Sequence, residues 1–274
     1  MRSTNGWSRR GWLTTLGIAG LGAAGLACSR TEQFGEREEL IVAAAMSLRE
    51  VMARVERAYE AAHPEINVTL NLAGSQALAA QILAGAATDV FVSADRAQMQ
   101  RLVDAELAEP AVEIASNRLV AIAARGSDMH QAKDLGRDGA KVVLAAPEVP
   151  AGAYARQALD RLGLRREVEA NVVSEEDNVR AVVQKVSLGE ADAGIVYATD
   201  VRAADPGSVA RIELPGAESI RATYVAAALR RARDPSRARA FVERLRGAEA
   251  QAFFAELGFG PIAAAGQATG RAST

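Results

Sequence analysis

The sequence predicts an α/β protein built on parallel sheets. Short apolar runs, suited to strands buried on both faces, alternate with stretches of helical spacing. Hydrophobic residues make up 49 % and charged residues 24 % of the 274 positions, an ordinary globular balance. Long internal repeats and low-complexity stretches are absent from the sequence.

Each element is justified by its own pattern. The run 40–45 is continuously apolar and reads as the first buried strand. Leu48, Val51, Met52, Val55, Ala58, Tyr59 and Ala62 follow at helical spacing, and His63-Pro64 ends that helix. Residues 66–72 alternate as a strand, Gly74-Ser75 opens a second helix, and Gly85 closes it. A strand at 89–94 leads to Asp95, whose carboxylate suits the cap of the next helix. Further strands are expected at 118–124, 141–146, 170–173 and 192–197, and helices at 151–162, 178–188, 235–246 and 248–257. After an N-terminal leader, the remaining chain is long enough to bury two cores of about a hundred residues each.

Composition excludes several functions. Lys+Arg is 32 against Asp+Glu 34, a formal charge of −2, and aromatics are 4 %, so neither a basic nucleic-acid coat nor a base-stacking platform is present. One cysteine and two histidines leave no disulfide framework and little for a metal centre or a His-based triad. GxSxG, HExxH and P-loop motifs do not occur.

The first thirty residues read as an address. Arg2, Arg9 and Arg10 precede an uncharged run of 17 residues from Gly11 to Ala27, and the first acid is Glu32. Ser8-Arg9-Arg10-Gly11-Trp12-Leu13 resembles a twin-arginine export signal. Cys28 ends the run where a bacterial lipoprotein carries its lipidated cysteine, with Leu26 one place nearer to it than the usual lipobox has; a free cysteine beside an ordinary cleavage site is the alternative. Removal of 1–27 takes the charge from −2 to −5, and residues 28–38, polar and charged, read as a tether.

The informative positions are strand-to-helix junctions. Met46-Ser47, Gly74-Ser75, Pro150-Ala151-Gly152, Asp177-Asn178-Val179 and Tyr197 lie at or just beyond the carboxyl ends of expected strands, where open α/β sheets bind ligands. A helix start offers unpaired N–H groups and about half a positive charge, so it holds an anion without a basic side chain. Ser or Asp at any one such start can equally be a plain N-cap worth about 1 kcal/mol.

The ordered set of motifs resembles the periplasmic molybdate-binding proteins of bacterial ABC importers. The resemblance rests on Ala43-Ala44-Ala45-Met46-Ser47-Leu48, on Gly74-Ser75 with Leu78-Ala79 and Gln81-Ile82, and on Thr88 to Asp95. It continues through Pro147 to Gly152 with Tyr154-Ala155, Glu176 to Arg180, Gly194 to Tyr197 and Gly258-Phe259, covering roughly 38–262. Met46 and Gln76 are departures from the usual pattern.

The resemblance implies a two-lobed type II periplasmic-binding-protein fold. Residues 39–117 with 223–262 would form one lobe and 118–222 the other, joined by hinge strands near 116–120 and 220–225, with 263–274 a tail. It further implies that Ser47 and Ser75 hold molybdate, or tungstate, from one lobe and Ala151, Val179 and Tyr197 from the other. Asp177 would support the site as the N-cap that orients the Val179 loop. No catalytic residue, cation site or cofactor is implied. The implied setting is a monomer in the periplasm that delivers its anion to ABC permease subunits and is held to the membrane by a lipid on Cys28, with no nucleic-acid partner. Same-fold receptors for sulfate, phosphate or an organic anion are the alternatives within the class, and a hydrolase using Ser47 or Ser75 is the alternative outside it. Molybdate is a tetrahedral dianion with no proton, so an all-donor site would bind it independently of pH between about 6 and 8.

Overall fold

The computed structural model describes residues 37–262; the leader, Cys28 and the tail lie outside the described residues. In chain order the first half runs β1 (Glu38–Ala45), a 3₁₀ turn (Met46–Leu48), α1 (Arg49–Ala62), β2 (Ile66–Ala73), α2 (Ser75–Leu83), β3 (Val90–Ser93) and α3 (Arg96–Asp104). After β4 (Val112–Ala124) come β5 (Val142–Ala145), α4 (Pro150–Leu162), α5 (Arg165–Ala170), β6 (Val172–Glu176) and α6 (Val179–Ser187). The chain continues through β7 (Ala193–Tyr197), α7 (Ala198–Ala203), β8 (Val209–Ile212), β9 (Arg221–Ala228), α8 (Pro235–Arg246) and α9 (Ala248–Glu256). Among the described residues no helix is long and apolar enough to cross a membrane.

The strands follow one path, β2-β1-β3-β9-β4-β7-β5-β6, with β8 on β4. Within it β1 is parallel to β2 and β3, and β5 is parallel to β6 and β7. The long strand β4 changes partners along its length. Residues 112–118 pair antiparallel with β9, and residues 119–124 pair with β7 and β8. One strand therefore ties the β1-β2-β3-β9 half of the path to the β5-β6-β7-β8 half.

Alternation along β1 and β3 explains why their sequence shows no polar face. Leu40, Val42, Ala44, Val90 and Val92 point into the main core, while Ala43 and Phe91 join Leu78, Met99 and Leu102 beneath α2 and α3 on the other face. Both faces are covered, so both sets must be apolar. Burying each of the larger side chains stabilises the fold by about 1.5–3 kcal/mol.

The elements read from sequence are present within one to three residues at most of their ends. Asp95 caps α3 as expected, its side chain accepting from the Gln98 N–H at 2.9 Å. The exceptions have local causes. Strand β4 starts six residues before the expected 118, because Ser116 and Asn117 break its apolar pattern. Helix α5 buries only Val168, β8 is a four-residue strand pairing with β4 alone, and α7 follows Tyr197 with no loop between. Segments so short give no periodicity to read. Glu38, expected in the tether, already pairs with Ile66 in β1.

Candidate functional site

The carboxyl ends of the parallel strands from both halves of the path open on one cavity of about 20 Å³. That is far below the roughly 300–1,000 Å³ of pockets for drug-sized ligands, and suits a compact ion. The first half contributes Ala45, Met46, Ser47, Gly74, Ser75 and Ala94; the second contributes Val149, Pro150, Ala151, Asn178, Val179 and Tyr197. All five residues expected to hold an anion line this one space. No lining residue carries an ionisable acid or a cation.

Neither serine serves as the N-cap of its own helix. Ser75 is the first residue of α2, Gly74 occupies the cap, and the Ser75 hydroxyl accepts the Ala94 N–H at 3.0 Å. Ser47 sits in the 3₁₀ turn, with its hydroxyl 3.0 Å from the Tyr224 phenol. Asn117 Nδ2 can only donate, and it reaches Thr199 Oγ1 at 2.8 Å and Tyr224 Oη at 3.4 Å. Either hydroxyl of the Ser47–Tyr224 pair can donate; where the phenol, itself accepting from Asn117, gives its proton to Ser47 Oγ, both serine oxygens are occupied as acceptors and both hydroxyl protons are left to donate into the cavity. Both serines are buried, at 4 % and 1 % exposure, so the orientation is held away from water.

Ala151 and Val179 present backbone. Ala151 follows Pro150 in the first turn of α4, and Val179 opens α6, where N–H groups have no partner within the helix. The cap of α6 is Asn178, whose side chain accepts the Arg180 and Ala181 N–H groups at 3.0 and 3.1 Å. This corrects the expectation for Asp177. Its side chain is exposed and caps nothing; its carbonyl instead accepts from Gln76 Nε2 at 2.8 Å. An Asp-Asn pair has two residues able to cap, and the one in register with the first helical turn takes the role. Gln76, the departure after the second serine motif, lies outside the cavity wall and spans the two halves.

Tyr197 ends β7 with its phenol oxygen buried and without a hydrogen-bond partner among the described residues. Burial pushes the Tyr197 phenol well above its ordinary range, with the Tyr224 phenol next in effect, so the O–H keeps its proton and stays a donor. Its ring packs edge-on against Tyr224 with centroids 6.0 Å apart. An unpaired buried hydroxyl beside four other donors is what an all-acceptor ligand would satisfy.

Behind Tyr197 lies a group that sequence reading missed. Asp200 is fully buried and accepts the Tyr197 N–H at 3.1 Å. Burial raises its carboxyl from 3.8 to about 7; the Arg180 guanidinium and the Tyr197 N–H oppose the rise, and Glu50 adds to it. The site therefore has a titrating neighbour, which the expectation of pH-independence did not include.

The sign of its effect on stability follows from linkage. The folded form binds this proton more tightly than the unfolded chain. The stabilisation is complete below about pH 4 and is lost as pH rises through about 7. Relative to Asp200→Asn, the parent chain should lose on the order of 4 kcal/mol between about pH 4 and pH 8. Denaturant unfolding of both chains across that range measures it; parallel profiles would mean that Asp200 does not ionise in the fold.

The histidines stand apart. His63 lies 3.7 Å from Glu65 beyond α1, His130 is exposed, and neither lines the cavity. Neither histidine therefore stands by Ser47 or Ser75 to activate it as a nucleophile.

The chain is similar to known solute-binding proteins. The family described as bacterial extracellular solute-binding protein matches residues 40–260. The molybdate-binding protein ModA of Mycobacterium tuberculosis is 34 % identical over 255 residues, covering 91 % of this chain and 96 % of the relative. The periplasmic molybdate-binding protein of Azotobacter vinelandii superposes with a TM-score of 0.71 at 23 % identity, over 80 % of this chain and 98 % of that one. The sulfate-binding protein SubI of M. tuberculosis gives the same TM-score, 0.71, at 16 % identity, over 83 % and 88 %. Shared fold alone does not choose between the two anions.

Proposed function

We propose, since the chain belongs to the bacterial extracellular solute-binding protein family, that it is the molybdate-binding component of an ABC transporter and that Ser47, Ser75, Ala151, Val179 and Tyr197 hold the anion. The observation that carries the reading is the composition of the cavity wall. Hydroxyls and helix-start N–H groups converge from both halves of the sheet path, with no acid or cation among the lining residues. A tetrahedral dianion without protons uses donors only, and helix starts with oriented N–H groups supply the compensating partial charge. Phosphate near neutral pH carries a proton and is best held with a carboxylate acceptor facing it, and no carboxylate lines the wall. Sulfate has the same shape and protonation as molybdate and differs in size.

Two lobes, meeting along β4 and β9, close on the anion as hinged bodies. Residues 39–117 with 223–262 make one and 118–222 the other. Ligand contacts divided between them favour the closed form. The protein works as a monomer outside the cytoplasm, Cys28 carries the lipid that holds it at the membrane, and the permease subunits receive the anion. Tungstate, matched to molybdate in shape and charge, binds as well. Calorimetric titration with molybdate, tungstate, sulfate and phosphate tests the reading. The first two should bind at least a hundredfold more tightly than sulfate, about 2.7 kcal/mol, and phosphate should not bind measurably. Preferential binding of sulfate would overturn the molybdate assignment.

A further inference from the structure

The cavity wall is uncharged, yet one cation stands immediately behind it. Arg180 follows Val179 in the first turn of α6, with its side chain 22 % exposed. Its Nη2 donates to Glu50 Oε2 at the start of α1, three residues after Ser47. Its Nε lies 3.3 Å from Oδ1 of Asp200, an ion pair without a hydrogen bond between the two atoms, while Oδ2 of the same carboxyl accepts the Tyr197 N–H. One guanidinium thus touches carboxylates tied to the Ser47 and Tyr197 segments, while its own backbone neighbours Val179. Glu50 belongs to the β1-β2-β3-β9 half and Asp200 to the other.

We propose that Arg180 is a positioning residue for anion capture: by bridging Glu50 and Asp200 it fixes the Ser47, Val179 and Tyr197 segments in the closed arrangement. This rests on the anion-binding reading above. The guanidinium hydrogen-bonds Glu50 and at the same time stands as the counter-charge beside Asp200, two places that the point charge of a lysine ammonium spans less well. Asp200, at 0 % exposure, needs a fixed counter-charge within its own half once it ionises above about pH 7, whereas Glu50, on the other side, is 37 % exposed and can be hydrated when the halves part. The Arg180–Glu50 contact is then the part of the triad that exists only on closure. A contact made only in the closed form strengthens binding of whatever that form encloses. The neutral bonds from Gln76 to the Asp177 carbonyl and from Gln98 to the Glu148 carbonyl, 2.8 and 3.1 Å, span the same two halves but bring no charge to the donors.

The test is a double-mutant cycle in molybdate affinity, read by calorimetry on the parent chain, Glu50→Ala, Arg180→Gln and the double variant, with Arg180→Lys as the conservative change. Glu50→Ala and Arg180→Gln should each weaken binding about tenfold or more. The double variant should be within about twofold of Arg180→Gln, because the two act through one contact. Arg180→Lys should recover part of the loss. Glu50→Ala, altering an exposed partner, should leave the thermal midpoint of the ligand-free chain within a few degrees, so its loss of affinity cannot be assigned to misfolding. Parent-like affinity in Glu50→Ala, or losses that multiply in the double variant, would overturn the bridging role alone. Failure of the parent chain itself to bind molybdate would overturn the function on which the proposal rests.

Discussion

Replacing Ser47 and Ser75 together with alanine should weaken molybdate binding by about 10²–10⁴-fold. A hydrogen bond to a charged group contributes about 1.5–3 kcal/mol, and the double variant removes two donors to one dianion. Each hydroxyl also has a second partner. Ser75 Oγ accepts the buried Ala94 N–H and Ser47 Oγ faces the buried Tyr224 phenol. Alanine leaves the Ala94 N–H without a bond and the Tyr224 phenol with Asn117 as its one remaining partner, which costs about 1–3 kcal/mol of folding stability for the first and less for the second. The ligand-free double variant should therefore melt several degrees lower and still fold. The two effects separate by experiment. Calorimetry reports the lost donors, and the thermal midpoint without ligand reports the orphaned partners. A lowered midpoint with parent affinity would place the anion away from both serines. Each single variant should show roughly the square root of the double effect, because the hydroxyls stand on different strand ends and share no protein partner.

The five junctions could be found in the sequence because parallel strands must bring strand-to-helix junctions to one edge of a sheet, and the family resemblance singled out one residue at each. What supports them could not be found that way. Tyr224 meets Ser47 across 177 positions of chain, Asn117 meets Tyr224 across 107, and Arg180 meets Glu50 across 130. None of these pairs leaves a local pattern, and an isolated Tyr, Asn or Arg in a strand or helix is indistinguishable from an ordinary packed or solvated residue. Asp200 illustrates the limit well. In Tyr197-Ala198-Thr199-Asp200 it reads as an acid in an early helical turn, and only the fold places it wholly inside, against Arg180. Asp177 errs in the opposite direction. Its residue type was right for a cap, but a helix start cannot be fixed to one residue from neighbouring Asp and Asn alone. The alternation of β1 and β3 needed no such help, since two covered faces force two apolar sets.

Gly152→Ala should be the most damaging single methyl in the second half of the chain. Gly152 is the third residue of α4, directly after Ala151, and its backbone is not in the left-handed region, so alanine loses nothing in conformation there. The obstacle is space. A Cβ at 152 would overlap the carbonyl oxygens of Ala145 and Ala146 and lie 2.7 Å from the Ala145 carbonyl carbon. These are backbone atoms at the end of β5, and no side-chain rotation relieves them. Neither neighbour is free to retreat. The Ala145 carbonyl accepts from Arg156 Nη1 at 2.7 Å, and the Arg156 side chain, 7 % exposed, is held in turn by Glu169 and Glu175. The start of α4 must therefore lift off β5 or the end of β5 must break its pairing. Overpacking a tight core costs about 1–3 kcal/mol where side chains can adjust, and backbone against backbone belongs at or above the top of that range. Lifting α4 also carries the Ala151 N–H away from the cavity, so affinity should fall at least tenfold in whatever fraction remains folded. Gly247→Ala is the comparison: that glycine also has an ordinary φ of −66° and also stands at a helix start, but its nearest contact to an added Cβ is 3.2 Å, tight without overlap. Urea unfolding of the two variants should differ by about 2 kcal/mol or more, with Gly247→Ala losing about 1 kcal/mol as a cap position. Equal stabilities would mean that α4 rides loosely over β5, and a loosely held α4 could not keep the Ala151 N–H in place as a fixed donor.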